Sequence, residues 1–254
     1  MGGGRFGLGL GISTLYISVI VLIPLAAVTV KAVAQGPSSF WQSVTNPLAL
    51  KALEITLGFS VLVAAIGAVM GTLIAWVLVR DRFPGQRIIN ALIDLPFALP
   101  TIVAGLTMIA LYGPDSPFGI HLAFTRAIVI VALLFVTLPF VVRSVQPVLL
   151  ELDHEVEEAA ASLGAGNGVI FRRVILPALR PSILSGAALA FARCVGEIGA
   201  LVLVAVNVPT ASLVIFADIE NDTPQAAASL SLVLIVLSLI VLFVMRRLGG
   251  RVAH

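Results

Sequence analysis

Apolar residues in this chain gather into six long runs, at 12–30, 55–79, 88–111, 127–150, 182–206 and 226–245. A helix rises about 1.5 Å per residue and the hydrocarbon core of a bilayer is about 30 Å thick, so about 20 apolar residues cross it. The pattern therefore predicts six membrane helices, several long enough to tilt. The polar segments between them are short, and no soluble domain fits in what remains. The run at 12–30 ends near Ala32-Val33-Ala34, which has the look of a cleavage site. At 19 residues it exceeds a leader's apolar core, and Lys31 interrupts the approach, so an uncleaved helix is expected.

Composition agrees with lipid as the solvent. Hydrophobic residues make up 59% of the 254 and charged residues 11%, against about 45–50% and about 25% in soluble domains. Mean hydropathy is +1.13. The charges that remain fix an orientation. With the N-terminus inside, the inner segments hold ten Arg (5, 80, 82, 87, 172, 173, 180, 246, 247 and 251) and the outer ones hold Lys31, Lys51 and Arg126. Basic residues favour the cytoplasmic side, so both termini are expected there. No basic run interleaved with aromatics points to nucleic acid. The single cysteine, Cys194, excludes an intrachain disulfide, and His121, His154 and His254 lack metal-ligand spacing. The Asn221-Asp222-Thr223 sequon is read as a chance occurrence.

The expected domain plan is an N-terminal segment at 1–50 carrying the first helix, a membrane domain at 51–247, and an inner tail at 248–254. Two inner loops differ in size: 80–87 is a tight turn with Pro84-Gly85, whereas 151–180 is long. The long loop opens with Glu151, Asp153, Glu155, Glu157 and Glu158, followed by an Ala-rich run closed by Gly164. Asn167-Gly168 then starts the helix former VIFRRVIL, with Pro177 expected to stop it. Helix, glycine turn, helix on the inner face is either an interfacial hairpin or a rigid handle for a partner.

Spacing narrows that choice. Glu158-Ala159-Ala160, Gly164, Val174, Leu176 and Pro177 fit E-A-A-x3-G-x9-I-x-L-P, with Val174 in place of the usual Ile. This resembles the EAA loop of binding-protein-dependent ABC importer permeases over about 51–247. The stretches at 99–119, 137–149 and 191–209 are similar to the sulfate/thiosulfate permease group, of the T-subunit kind; molybdate and tungstate permeases share the G-E-x-G element. The resemblance implies an all-α type I ABC importer fold, sulfate or thiosulfate import by alternating access, and the seven loop residues as the docking site of an ABC ATPase. It also implies a second permease in a heterodimer, an extracytoplasmic sulfate-binding protein and the inner membrane of a bacterium. No G-x-x-x-x-G-K-[ST] occurs. The chain is thus expected to hold no cofactor and perform no catalysis, with ATP and Mg in the partner ATPase. A related oxyanion importer, a secondary anion transporter and a non-transporting scaffold are the alternatives.

Charges inside the runs mark a second region. Arg193 lies near the middle of 182–206, where insertion costs about 2.5–3.5 kcal/mol. Glu197 follows one turn on, on the same face. The two are either a self-neutralising pair or part of an anion pathway. Pro96 and Pro100 are expected to kink the third helix, and with Thr101 they form either a pathway wall or a packing face. Gly67 with Gly71, and Gly196 with Gly199, are expected to permit close helix contact.

Overall fold

A computed structural model of the chain describes residues 11–250, with side chains through residue 247. Arg5 and Arg251 of the charge count lie outside the described residues, as does most of the 248–254 tail. The described residues are helical, with no strand among them. Five helices are long and apolar enough to cross a membrane: α1 (Gly11–Val33), α3 (Pro47–Arg80), α7 (Arg126–Glu151), α9 (Asn167–Val195) and α12 (Pro224–Arg247). Shorter helices lie between them: α2 (Pro37–Val44), α4 (Gln86–Ile93), α5 (Leu95–Ala98), α6 (Thr101–Tyr112), α8 (His154–Ser162), α10 (Leu201–Val204) and α11 (Ala211–Glu220).

The third apolar run is not one helix. Asp94 and two prolines divide it into α4, α5 and α6. Leu99 is extended, at φ −89° and ψ 136°, because the Pro100 ring disfavours helical backbone before it. Pro96 sits in the first turn of α5, where its missing N–H costs nothing. The kink expected at these prolines is therefore a full interruption.

The fifth run differs at both ends. Its helix begins fifteen residues early, at Asn167, and ends at Val195. Pro177, expected to stop the preceding helix, lies inside it. A π-turn at Phe171–Ile175 absorbs the ring, with Leu176 N–H bonded to the Phe171 carbonyl one residue further back than in an α-helix. Segments 34–54 and 207–225, between apolar runs, also contain helices, α2 and α11. Asn46 caps α3 through a 2.9 Å bond from the Leu48 amide, with Pro47 in its first turn.

Helices α3, α7 and α9 pack against one another as the centre of the bundle, and α12 lies between α9 and α1. Val141 of α7 is fully buried at the triple crossing. Gly71 faces it from α3: a Cβ there would stand 2.7 Å from Val141 Cβ. Gly186 faces it from α9, where a Cβ would stand 2.8 Å from Val141 Cα and 3.1 Å from the Phe140 carbonyl oxygen. The Gly67-x-x-x-Gly71 stripe thus serves packing within the chain. Backbone at such distances cannot yield by a rotamer change, so overpacking costs about 1–3 kcal/mol. Gly186→Leu should lower the unfolding temperature of the purified chain by about 5 °C. Gly58→Leu, where a Cβ meets nothing within 4 Å, should leave it in place.

Candidate functional site

The loop at 151–180 is built by local rules. Asp153 caps α8, its carboxylate accepting from the Glu155 amide at 2.9 Å, and Glu155 and Glu157 lie in the first turn. Gly164 ends the helix at φ +83°. Its amide donates to the Ala161 carbonyl at 2.9 Å, and the Ala165 amide donates to the Ala160 carbonyl at 3.1 Å. This pair of bonds is a Schellman turn, which needs a left-handed residue where glycine stands. A Cβ on Gly164 would meet nothing within 4 Å, so its conformation, not crowding, selects glycine.

The seven loop residues divide into two faces. Ala160 and Val174 turn inward and pack against a buried cluster that includes Val145, Leu149, Ile170 and Ile175. Glu158, Ala159, Gly164, Leu176 and Pro177 are exposed. Beside the turn stands Leu163, 88% exposed, with Val156 and Val169 also uncovered. Leu163, Val156 and Val169 together leave apolar surface open on this loop. Glu157, one residue before the exposed Glu158, points the other way and pairs with Arg80 at the end of α3. Sequence reasoning missed that pair, because no local spacing connects residues 77 positions apart.

The second region forms where the fifth run breaks. Residues 196–200 leave the helix, and Glu197 is drawn inward until it is 1% exposed. Its Oε1 accepts from the Ala200 amide at 2.8 Å, and its backbone carbonyl accepts from the Ser212 hydroxyl at 2.7 Å. Arg193 Nη1 lies 2.6 Å from Oε2, an ion pair outside hydrogen-bond geometry that leaves Oε2 without a donor aimed at it. Thr101 packs directly on Gly199, and a Cβ on Gly105 would stand 2.6 Å from the Ala200 carbonyl. The structure thus joins the start of α6 to the break around Glu197. A Cβ on Gly196 would meet nothing within 4 Å, so no close helix contact selects glycine there. Pro96 is buried in α5, while Pro100 is exposed at the start of α6.

Two arginines inside the spans behave differently. Arg143 of α7 spends all five guanidinium N–H groups on protein: Nε on Asp94 Oδ1 (2.7 Å), Nη2 on Asp94 Oδ2 (2.5 Å) and the Asn90 carbonyl (2.8 Å), Nη1 on Asn90 Oδ1 (2.8 Å) and Gln146 Oε1 (2.5 Å). This satisfied fork ties the interrupted third run to α7. Arg193 makes only the ion pair, among the described residues, and its side chain is 33% exposed. Its remaining donors are open to another acceptor.

The chain as a whole is similar to known proteins. The "Sulfate transport system permease protein CysT" of Synechocystis is 45% identical over 257 aligned positions, covering 96% of this chain and 90% of its own. The protein of that name from Escherichia coli K12 is 39% identical, covering 97% and 93%. The chain in a crystal structure of a bacterial ABC transporter that imports the acidic polysaccharide alginate superposes with a TM-score of 0.80 at 15% identity, covering 98% of this chain and 96% of that one. A chain of the MetNI methionine ABC transporter in an inward-facing conformation superposes at 0.64 with 23% identity, covering 82% and 97%. These likenesses establish the type I ABC importer permease fold. Residues 66–254 match the family "Binding-protein-dependent transport system inner membrane component", and this multi-pass membrane protein belongs to that family of transport subunits.

Proposed function

We propose that this chain is the permease subunit of an ATP-driven importer that carries sulfate or thiosulfate across the cytoplasmic membrane of a bacterium. The observation that carries this reading is the 39–45% identity, along nearly the whole chain, to permeases of sulfate transport systems. In this reading an ABC ATPase, which holds ATP and Mg, docks on Glu158, Ala159, Ala160, Gly164, Val174, Leu176 and Pro177. A second permease completes the pathway in a heterodimer, and an extracytoplasmic sulfate-binding protein delivers the anion to the outer side. Both termini face the cytoplasm, and the third run completes a sixth crossing as three pieces.

The geometry supplies a route for the stroke. Helix α9 carries both the docking residues Val174, Leu176 and Pro177 and, 16 positions beyond Pro177, Arg193, a lever of about 24 Å at 1.5 Å per residue. Closure of the ATPase would move the loop as a rigid body, and α9 would carry that motion to the break at 196–200. Arg193, with Glu197 restraining it, supplies positive potential to a passing dianion without forming a tight site, which would slow release. In this reading Thr101 and Pro100 belong to the facing wall, and Pro96, buried in α5, supports it from behind.

The test is hydrolysis by the purified complex with its binding protein presented in turn with sulfate, thiosulfate, molybdate and tungstate. Sulfate or thiosulfate should stimulate hydrolysis most. Stimulation by molybdate or tungstate alone would overturn the assignment of substrate.

A further inference from the structure

Arg80 ends α3 and reaches across to the docking loop. Its side chain is only 13% exposed and that of its partner Glu157 only 19%. Nη2 donates to Glu157 Oε1, and Nη1 lies 2.9 Å from His154 Nδ1, so two residues of α8 meet one guanidinium. Trp76, one turn earlier on α3, lies beneath it, with Cζ 5.3 Å from the ring centroid. The same indole meets Phe171, the first residue of the π-turn in α9, edge to face at 5.7 Å. Three elements therefore converge on Arg80 and Trp76.

A surface ion pair contributes little because water screens it and both side chains must be ordered to form it. This one is shielded, and the indole beneath the guanidinium restrains the arginine a second time. Such a contact resists shear between α8 and the end of α3.

We infer that Arg80 is a positioning residue that locks the docking helix to α3, so that the ATPase stroke enters the membrane through α3 and α9 together. This rests on the reading of α8 as the ATPase-docking element. If α9 alone carried the stroke, α8 would be free to swing about the Gly164 turn and part of each cycle would be lost. Glu157 and Glu158 then have opposite tasks, the first holding the helix to its own chain and the second facing the partner.

The experiment places nitroxide labels at Asp81→Cys and Ser162→Cys in the assembled complex and measures their distance distribution, alongside sulfate taken up per ATP hydrolysed. Arg80→Ala should at least double the width of the distribution and lower uptake per ATP about tenfold. Arg80→Glu and Glu157→Arg should each do the same, and the two combined should recover at least half of both values. A wild-type width and uptake ratio in Arg80→Ala, or a combined variant no better than either single one, overturns the inference. If Arg80→Ala does not accumulate, Glu157→Gln carries the same two readouts. A wild-type complex that moves no sulfate would refute the proposed function, while the label widths would still decide whether the lock exists.

Discussion

Gly164→Val is expected to remove at least four-fifths of ATP-driven uptake, with a matching fall in the ATPase that copurifies. The turn holds residue 164 at φ +83°. An L-residue there pays about 1–2 kcal/mol, and β-branching raises the strain further. That energy shifts the balance between the formed turn and its alternatives about 5- to 30-fold. The loss falls on the turn that aims Leu163 and Glu158, so docking should suffer while the spans still insert. Two companions isolate the cause. Gly164→Asn should keep a substantial part of the activity, because asparagine tolerates the left-handed region. Gly168→Ala should be close to wild type, since that glycine has ordinary helical backbone and open space around it. Full activity in Gly164→Val would show that the turn does not aim the docking surface.

Arg193→Ala is expected to lower uptake about tenfold or more while the complex still assembles. Two effects overlap in that variant. The pathway loses its positive potential, and Glu197, 1% exposed, loses its counter-charge. Breaking a buried pair on one side costs about 3–5 kcal/mol, whereas neutralising both sides costs far less. Arg193→Gln combined with Glu197→Gln therefore separates them: stability should return, and uptake should stay low. Recovery of uptake in that pair would make Arg193 and Glu197 structural partners only. Arg143→Ala serves as the contrast. Its five bonds all go to protein, so its loss should destabilise the junction of α4 and α7 and lower the amount of folded chain.

Much of this architecture is legible in the chain. Hydropathy marks all six apolar runs, because length and apolarity suffice to identify a candidate span. The turn at Gly164 is legible because few residues other than glycine close a helix this way. The interruptions are harder to read. Hydropathy stays high through 95–106 and across 198–206, so a window sees one helix where Asp94, Pro96 and Pro100, or Gly196 and Gly199, make a break. Pro177 misleads in the opposite sense. Proline usually ends a helix, but a π-turn before it leaves room for the ring, and no local composition announces that turn. The pairs Arg143–Asp94 and Arg80–Glu157 join residues 49 and 77 positions apart. They follow from the packing of α7 on the third run and of α8 under α3, so they become visible only once the topology is known.

The central claim is that ATP hydrolysed on a separate subunit drives sulfate through this chain. The most direct test reconstitutes the complex in proteoliposomes with ATP inside and sulfate-loaded binding protein outside, then follows labelled sulfate. The account predicts accumulation that requires ATP and the binding protein and persists when an ionophore collapses the proton gradient. Accumulation that continues without ATP, and stops when the gradient is collapsed, would contradict it.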